Sequence, residues 1–289
     1  SAFNEAHSIK KTLIELQPHA RKHGWKILII DDGSTDQTNA ILAKIGDISV
    51  IRHPYNKGYG ASLKTGIKNS QTPLVAFFDA DGQHRPDDLE KLVAHMADYD
   101  MVVGKRGQNS HEEWIRKPGK LLLSAVANYL TEQKIPDLNS GMRVVRKRMI
   151  LGHLHLFPEG FSFSTTSTIA FLNLGYNVGY VTITAGKRIG KSTVKQIKHG
   201  TSAILLIIRL ILLFNPLKFF LPLSIGLFIV GSIYEILYGI ILFQEGVELI
   251  PAAFFTILTS LLIFFFGLVV DQLSELRKHT IDRTHNNSD

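Results

Sequence analysis

The stretch LVAFFDADGQH, residues 74–84, joins an apolar run to a cluster of carboxylates. Its first five residues, Leu74–Phe78, are typical of a buried strand that ends in a polar loop. Asp79 and Asp81 are two residues apart in that loop, so both carboxylates can converge on one hard cation, and Gln83 can add a carbonyl oxygen. Mg²⁺ and Mn²⁺ prefer oxygen ligands, and Mg²⁺ usually shares its coordination shell with substrate phosphates. The stretch therefore predicts a divalent metal site at the end of a strand.

Two other interpretations fit the same loop. Its acidic spacing matches several EF-hand positions, but His84 stands where the invariant glycine belongs and Pro86 interrupts the loop. A solvated acidic turn is the simpler alternative, because an isolated Asp-x-Asp is weak evidence for a metal. The surrounding sequence has to decide between the turn and the metal site.

Short apolar runs alternate with helical patterns around this stretch. The predicted strands are residues 26–30, 48–52, 74–78 and 101–103. One predicted helix follows Ser34 and Thr35, which cap it; a second covers 60–68, and a third runs from Pro86 to about 97. Such repetition indicates a mostly parallel sheet covered by helices, in which ligands bind beyond the carboxyl ends of the strands. Asp31 and Asp32 follow the first strand, so we expect them at the same edge as Asp79. Glycines 58 and 60 are interpreted as allowing close packing of a helix.

Later segments continue the pattern as far as residue 191. We predict helices at 115–130 and 166–174, a polar loop at 137–143, a strand at 177–184 and a basic loop at 187–191.

Composition narrows the chemistry. The chain of 289 residues has 32 Lys and Arg against 25 Asp and Glu, a net charge of +7, and no cysteine. The missing cysteines exclude disulfides, thiolate metal sites and cysteine nucleophiles. Excess positive charge suits phosphates or an anionic membrane surface. No helix-turn-helix, zinc-finger or aromatic RNA-binding signature is present, so no nucleic acid partner is expected.

The last third of the sequence changes character. Residues 204–214 are apolar except for Arg209 and too short to span a bilayer, so we predict an interfacial amphipathic helix over 194–215. Residues 216–243 and 252–270 each approach the roughly 20 apolar residues that cross a bilayer. They predict a two-helix transmembrane hairpin within 216–289. A buried hairpin in a soluble protein is the alternative.

Charge around the hairpin predicts its orientation. Lys218 precedes the body of the first span and Arg277 and Lys278 follow the second, whereas the connection between them has no Lys or Arg. The positive-inside rule then places both ends, and the catalytic domain, in the cytoplasm of a multi-pass protein of the cytoplasmic membrane. The oligomeric state stays open between a monomer and a homo-oligomer, because such hairpins often associate through packed faces. Glu235, inside the first span, is assigned no chemistry.

Several motifs in a fixed order add a resemblance. AFNE (2–5), DDGSTD (31–36), NKG (56–58) and DADGQH (79–84) together resemble family 2 glycosyltransferases of the GT-A fold. DLNSGMR (137–143) and RIGKS (188–192) are similar to the branch of dolichyl-phosphate mannose synthases and other polyprenyl-phosphate glycosyltransferases. The resemblance covers about residues 1–195 and implies a GT-A domain over 1–193. It also implies a first strand upstream of Ala2, which is missing from this sequence.

The resemblance implies roles for individual residues. The donor-binding set is Ala2, Phe3, Glu5, Asp32, Asp79, Ala80, Arg106, Arg188 and Lys191; the metal set is Asp79, Asp81 and Gln83; the catalytic pair is Asp81 and Arg106; the acceptor-phosphate set is Lys120, Ser140 and Arg143. The implied cofactor is Mg²⁺ or Mn²⁺. Two positions depart from the family: Thr193 stands where a lysine is common, and STT (164–166) stands where related synthases often have an acidic residue.

These roles imply a metal-dependent, inverting transfer of a sugar from a UDP- or GDP-linked donor to a polyprenyl phosphate, undecaprenyl or dolichyl. A phosphate monoester has a second pKa of about 6, so the acceptor is largely ionised at neutral pH and needs cations rather than a strong base. Three alternatives stay open: a membrane-anchored family 2 glycosyltransferase acting on a glycan or protein, a processive polysaccharide synthase, and a non-catalytic scaffold that binds nucleotide sugars. Trp25 and Trp114 do not fit the Gln-x-x-Arg-Trp motif of processive synthases.

Overall fold

The computed structural model describes residues 1–107, 117–160, 162–184, 186, 208–241 and 251–286. The chain divides into two compact units, Ser1–Ala203 and Ile204–Asp289, called here the first and the second unit. This division agrees with the predicted change of character near residue 200.

The first unit alternates helices and strands. In chain order its elements are α1 (Ile9–His23), β1 (Leu28–Asp31), α2 (Thr38–Leu42), β2 (Ser49–Arg52), α3 (Tyr59–Asn69), β3 (Leu74–Phe77), α4 (Pro86–Ala94), β4 (Met101–Arg106), α5 (Lys117–Thr131), β5 (Arg143–Arg146), α6 (Lys147–Gly152), α7 (Phe163–Asn173) and β6 (Val178–Ile183). Short 3₁₀ turns occupy His95–Ala97 and Leu154–Leu156. The predicted strands and helices of residues 26–103 are thus confirmed to within a few residues.

The strands form two sheets. β1 and β2 pair in parallel, and a four-stranded sheet has the order β3-β5-β4-β6. β4 and β6 are parallel as predicted, but β5 runs antiparallel to both β3 and β4, which the sequence did not predict. Arg143, the first residue of β5, pairs with Phe77 of β3 and with Val103 of β4. Because β5 is antiparallel, the 137–142 loop that precedes it opens at the same edge as Asp79.

Helix α1 was not predicted from the sequence. Its buried positions Ile9, Leu13, Leu16 and Ala20 recur at helical spacing, although Pro18 lies inside the helix. Ile9 and Leu13 pack in one cluster with Ala2 and Ala80. Ala2 also forms a parallel bridge with Asp31 at the end of β1. This packing brings the first residues of the chain between the two acidic loops.

The cap of α2 differs from the prediction. The helix begins at Thr38, whose backbone nitrogen donates to Asp36 Oδ1 over 2.9 Å. Ser34 and Thr35 bind Asn4 instead: Ser34 Oγ accepts from the Asn4 nitrogen over 3.0 Å, and the Thr35 nitrogen donates to Asn4 Oδ1 over 2.8 Å. Ser34 and Thr35 therefore connect two loops instead of capping the helix, because they lie four and three residues before Thr38.

The second unit is a helical hairpin. Residues 208–214 are helical (α8), followed by α9 (Leu217–Ile241) and α10 (Pro251–Asn286). Two stretches are long and apolar enough to cross a membrane by length and composition, Leu217–Tyr238 with 22 residues and Pro251–Leu276 with 26. A Cβ on Gly231 would come within 2.8 Å of Ile257, and one on Gly267 within 2.5 Å of Phe220, so the two helices pack antiparallel and closely.

The predicted interfacial helix is described only in part. Residues 194–207 lie outside the described residues, and α8 covers most of the remainder. Leu210 and Phe214, one helical turn apart, are buried, whereas Arg209 is exposed. The Leu213 carbonyl accepts a hydrogen bond from Ser274 Oγ over 2.8 Å. The described part of α8 therefore has one buried apolar face and one exposed face.

Candidate active site

The predicted metal ligands lie in the turn that follows β3. Asp79 is two residues beyond the strand, and its Oδ1 accepts a hydrogen bond from the Tyr59 hydroxyl over 3.1 Å. Asp81 is buried, and its Oδ1 accepts from the Gln83 backbone nitrogen over 3.1 Å. Gly82 between them has φ of +75°, a left-handed conformation that glycine adopts without strain. The turn therefore fixes both carboxylates while leaving Asp79 half-buried.

Ala2 joins the two acidic loops. It forms a parallel bridge with Asp31 and packs in one cluster with Ala80. The acidic loops after β1 and β3 thus meet at one edge, as the sequence predicted. Ala80 is buried beside them, and its carbonyl accepts from the Thr12 hydroxyl over 3.3 Å.

The AFNE segment is held by the loop after β1. The Glu5 nitrogen donates to the Thr38 hydroxyl over 2.9 Å, and Glu5 Oε2 accepts from Ser8 Oγ over 2.6 Å. Asn4 has φ of +56° and binds Thr35 through its side chain. Phe3, which precedes Asn4, is half-buried. Asn4 was not among the predicted site residues, although its place inside a quoted motif was a signal for it.

Asp32 holds a turn of the chain. Its buried carboxylate accepts from the backbone nitrogens of Lys57 over 3.0 Å and Gly58 over 2.9 Å, and its Oδ1 lies 2.7 Å from His53 Nδ1. The other ring nitrogen of His53 lies 2.9 Å from the Thr65 hydroxyl. Asp32 therefore has three partners within the protein, and His53 was missed because no motif in the sequence includes it.

The glycines after that turn are needed for a close approach. A Cβ on Gly60 would lie 2.3 Å from the Pro158 carbonyl oxygen, and the nitrogen of Ala61 donates to the Glu159 carbonyl over 3.0 Å. The predicted close packing at this position is therefore observed at the start of α3, against the backbone of a loop.

Gln83 contacts Gly186, the residue that precedes the predicted basic loop. The Gly186 nitrogen donates to the Gln83 carbonyl over 2.9 Å, and Gln83 Nε2 donates to the Gly186 carbonyl over 3.4 Å. Arg188 and Lys191 follow Gly186 in sequence but lie outside the described residues. The structure thus brings the residue that precedes the basic loop next to the metal-binding turn.

Arg106, at the end of β4, is paired within the protein. Its Nε and one terminal nitrogen donate to the two oxygens of Asp137 over 2.7 and 2.8 Å, and its backbone nitrogen donates to the same carboxylate over 3.2 Å. Burial raises the pKa of Asp137, but the hydrogen bonds and charge of Arg106 outweigh this effect, so the net pKa is lowered. This bidentate pair anchors the 137–142 loop to β4.

Arg143 is fully buried. Its Nη1 donates to the Ser164 carbonyl and the Ser167 hydroxyl, both over 2.8 Å, and its Nη2 donates to the Ser140 carbonyl. Burial lowers the pKa of Arg143 to about 10. The Ser140 hydroxyl is also buried and has no hydrogen-bond partner among the described residues. The buried guanidinium of Arg143 therefore connects the predicted acceptor loop, residues 137–142, to α7.

The two predicted loops touch at one place. A Cβ on Gly141 would lie 2.4 Å from Asp79 Oδ2 and 3.4 Å from the Tyr59 hydroxyl. The backbone of the predicted acceptor loop is thus in direct contact with the first predicted metal ligand. Lys120 belongs to α5, but its side chain lies outside the described residues.

The donor set suits a hard cation. Among the described residues no three His, Cys, Asp or Glu side chains form a complete metal site. Asp79 and Asp81 supply two carboxylates and Gln83 an amide oxygen, a set that fits Mg²⁺ or Mn²⁺ when a substrate diphosphate supplies further oxygens. Tyr59, which orients Asp79, was missed in the sequence because a tyrosine between two glycines has no distinctive pattern.

Parts of this chain are similar in sequence to known proteins. An uncharacterized protein of Methanocaldococcus jannaschii is 38% identical over 49% of this chain and 60% of its own length. The UDP-N-acetylglucosamine–dolichyl-phosphate N-acetylglucosaminyltransferase of Methanococcus voltae is 32% identical over 50% of this chain and 67% of its own. An undecaprenyl-phosphate 4-deoxy-4-formamido-L-arabinose transferase of Proteus mirabilis is 28% identical over 51% and 48%. The chain thus spans about half to two thirds of these relatives.

Solved structures share the fold. Glucosyl-3-phosphoglycerate synthase of Mycobacterium tuberculosis, solved with Mn²⁺ and UDP-glucose, superposes with a TM-score of 0.55 over 73% of this chain and 75% of that one, at 17% identity. This likeness supports the GT-A fold. Two family models match the chain: the GtrB C-terminal hairpin over residues 215–276 and glycosyl transferase family 2 over residues 1–153. Because the family 2 model matches more than half of the 289 residues of this chain, the chain belongs to glycosyl transferase family 2.

Proposed function

We propose that this protein transfers a sugar from a UDP- or GDP-linked donor to a polyprenyl phosphate, with inversion at the anomeric carbon and with Mg²⁺ or Mn²⁺ as cofactor. The observation that carries the proposal is the contact between Gly141 and Asp79. It joins the turn that suits a metal and diphosphate to the loop whose motif is shared with lipid-phosphate transferases. Relatives named for transfer to dolichyl and undecaprenyl phosphate support the acceptor class.

On the donor side, Asp79, Asp81 and Gln83 would hold the cation, and Gly82 forms the left-handed turn between Asp81 and Gln83. When bound, the cation would neutralise charge on the departing nucleoside diphosphate. Ala2, Phe3, Glu5, Asp32 and Ala80 would line the donor pocket. The contacts of Asp32 with Lys57 and Gly58 suggest that it also shapes this pocket through its backbone partners.

The sequence predicted Arg106 as a donor-binding and catalytic residue and Arg143 as an acceptor-phosphate residue. Because each is bound within the protein, we propose instead that both act as positioning residues on the acceptor side. Arg106 holds Asp137 and Arg143 holds the Ser140 carbonyl, so both shape the loop that would receive the acceptor phosphate. Ser140, Lys120, Arg188 and Lys191 are the proposed phosphate partners. Since the phosphate is already an anion near neutral pH, the residues need only align it with the sugar.

The membrane arrangement belongs to the same proposal. The two spanning-length helices and the match to the GtrB hairpin support an integral protein of the cytoplasmic membrane. Both ends of the hairpin and the first unit are proposed to lie in the cytoplasm, and a homo-oligomer through hairpin faces is proposed with them.

A product assay tests the proposal. Membranes containing the full chain would be incubated with polyprenyl phosphate and a panel of radiolabelled UDP- and GDP-sugars. We expect label from one donor to enter the organic phase, and EDTA to abolish the transfer until Mn²⁺ or Mg²⁺ is restored. Label in polymer or protein would instead favour a glycan or protein acceptor, and binding of nucleotide sugar without any transfer would favour a scaffold.

A further inference from the structure

Arg143 is a buried cation whose hydrogen-bond partners are all neutral. Its terminal nitrogens donate to four groups of the protein: the carbonyls of Ser140 and Ser164 and the hydroxyls of Ser167 and Thr168. The two hydroxyls accept from Nη1 over 2.8 Å and 3.1 Å. Three of the four groups belong to α7, and we call the Ser164 carbonyl with the hydroxyls of Ser167 and Thr168 the α7 cage.

Two other arginines near the same sheet are paired differently. Arg106 lies 2.7 Å from Asp137, and Arg146 lies 3.5 Å from Asp100, so each has a carboxylate partner. Among the described residues, no carboxylate accepts a hydrogen bond from Arg143. Charges inside a protein are usually paired, because an uncompensated charge is costly to bury. The α7 cage therefore solvates this guanidinium without neutralising it.

Tyr180 lies over the same face of the sheet as Arg143. Both are in register with Val103 of β4, Arg143 from β5 and Tyr180 from β6, and side chains in register across neighbouring strands point to the same face. The Tyr180 hydroxyl is buried and has no hydrogen-bond partner within the described part of the chain. Burial raises the pKa of Tyr180 to about 12, although the charge of Arg143 acts to lower it. The phenol therefore stays neutral and supplies no negative charge to Arg143.

Asp137 and Asp79 are the two carboxylates whose charges act on Arg143. Both oxygens of Asp137 accept hydrogen bonds from Arg106. Asp79 is a proposed ligand of the divalent cation. Each of these negative charges therefore has a positive partner of its own when the cation is bound, which leaves the charge of Arg143 without one.

Helix α7 keeps the surroundings of Arg143 free of charge. From Phe163 to Asn173 the helix contains no Asp, Glu, Lys or Arg, and the five hydroxyl residues 164–168 are all buried. On the other side, the guanidinium donates to the Ser140 carbonyl, so its charge lies directly behind the 137–142 loop. Because the effective dielectric constant is lower inside a protein than in water, this charge acts strongly on an anion at the loop.

From these observations we propose that the α7 cage keeps an uncompensated positive charge behind the 137–142 loop, and that this charge attracts the phosphate group of the acceptor. Ser167 and Thr168 then determine the affinity for the acceptor through Arg143, without touching the acceptor themselves. The identity of the acceptor rests on the proposed function, whereas the attraction of a phosphate monoester to this loop does not.

A pair of variants that differ only in charge tests the proposal. Ser167→Asp places a carboxylate beside Nη1 of Arg143, whereas Ser167→Asn places an uncharged group of the same size there. We expect the KM for polyprenyl phosphate to be about 10-fold higher in Ser167→Asp than in Ser167→Asn. The kcat and the KM for the nucleotide sugar should be the same in both. Damage to packing would affect both variants equally, so it would not produce this difference.

A control variant places the same new charge elsewhere on α7. Asn173→Asp adds a carboxylate at the end of the helix, where the side chain is partly exposed, and should leave the KM for the acceptor unchanged. If a Ser167 variant does not fold, Thr168→Asp and Thr168→Asn give the same comparison, because the Thr168 hydroxyl also accepts from Nη1.

Two kinetic results would overturn the proposal. Equal KM values for the acceptor in Ser167→Asp and Ser167→Asn would show that the charge of Arg143 does not attract the phosphate. A lower kcat in Ser167→Asp, with the KM for the acceptor unchanged, would show that this charge acts on the chemical step instead of on binding.

A binding measurement separates this inference from the proposed function. If no label enters the organic phase with any donor, the proposed function fails. Calorimetric titration of the full chains in detergent with farnesyl phosphate, a phosphate monoester, and without nucleotide sugar then decides the inference. Weaker binding to Ser167→Asp than to Ser167→Asn supports it, and equal affinities or no binding to either contradict it.

Discussion

The proposed donor side and the proposed acceptor side of the candidate site use their charges differently. On the donor side, Asp79 is half-buried, and the carboxylates of Asp79 and Asp81 each have one identified hydrogen-bonded oxygen. On the acceptor side, Arg106 makes a bidentate pair and Arg143 is buried with its terminal nitrogens bound to the protein. The comparison leads us to propose ligands in one loop and supporting residues in the other. Three variants test this difference, and a fourth, away from the site, has the smallest expected effect.

The largest effect is expected for Arg143→Met. The change removes the charge-assisted hydrogen bonds that Arg143 donates and leaves the Ser140 carbonyl without its donor from Nη2, so it should lower the free energy of unfolding by about 3–5 kcal/mol. Urea unfolding of the full chain in detergent, followed by tryptophan fluorescence, would measure it. Arg146→Met is the control, because Arg146 is partly exposed and its pair with Asp100 is long, at 3.5 Å. A folded, stable Arg143→Met protein without activity would mean that Arg143 is a ligand-binding cation.

Asp81→Asn tests the donor side. The amide keeps the size of the side chain but loses the charge that would hold the cation, so kcat/KM should fall by about 100-fold or more with little change in stability. The readout is sugar transfer at saturating Mn²⁺. Asp98→Asn, on an exposed carboxylate, should leave the rate unchanged. Transfer at the wild-type rate by Asp81→Asn would remove the metal site from the proposal.

Gly141→Ala tests the contact between the two sides. The new methyl group would lie 2.4 Å from Asp79 Oδ2, so the carboxylate has to move and its hydrogen bond from Tyr59 weakens. Groups that orient a metal ligand typically contribute about 10–100-fold to metal affinity. Calorimetric titration with Mn²⁺ and nucleoside diphosphate would detect a loss of that size. Gly46→Ala, where a Cβ meets nothing within 4 Å, is the control. Unchanged affinity would show that the loops act independently.

The smallest effect is expected away from the site, at Glu90 on α4. Hydrogen bonds from His19 and His23 of α1 lower the pKa of Glu90 to about 2 from its ordinary 4.5. A lowered carboxyl pKa stabilises the fold above pH 4.5, and this contribution disappears as the pH falls towards 2. The melting temperature of Glu90→Gln should therefore lie below that of the wild type at pH 5 to 6, and the difference in melting temperature should shrink towards pH 2. Glu15→Gln, on an exposed carboxylate, should show no such pH dependence.

Much of the βα framework could be predicted because local patterns determine it. The apolar runs ending in Asp31 and Asp79 marked β1 and β3, and Pro86 marked the start of α4 within one residue. Helix α1 was missed since Pro18 argues against a helix, although the proline is tolerated there. Strand β5 was missed because four residues after a glycine-containing loop carry no periodicity that distinguishes a strand.

The candidate site was predictable in its membership but not in its connections. The motifs pointed to Asp79, Asp81, Ser140 and Arg143 because each lies in a short sequence with a recognisable order. Tyr59 and His53 have no such context, and their partners Asp79 and Asp32 are 20 and 21 residues away. Hydrogen bonds between distant segments depend on how the sheets place the loops, which a local pattern does not encode.

The sequence alone determined most strands and helices of residues 26–103, the acidic turns at the strand ends, the apolar hairpin and the resemblance to family 2 glycosyltransferases. Only the tertiary structure decided that β5 runs antiparallel, which brings Arg143 beside Phe77 and places Gly141 against Asp79. It also decided that Arg106 and Arg143 are bound within the protein. The physical reason is that charge and hydrophobicity are properties of single residues, whereas burial and pairing arise only when segments far apart in sequence pack together.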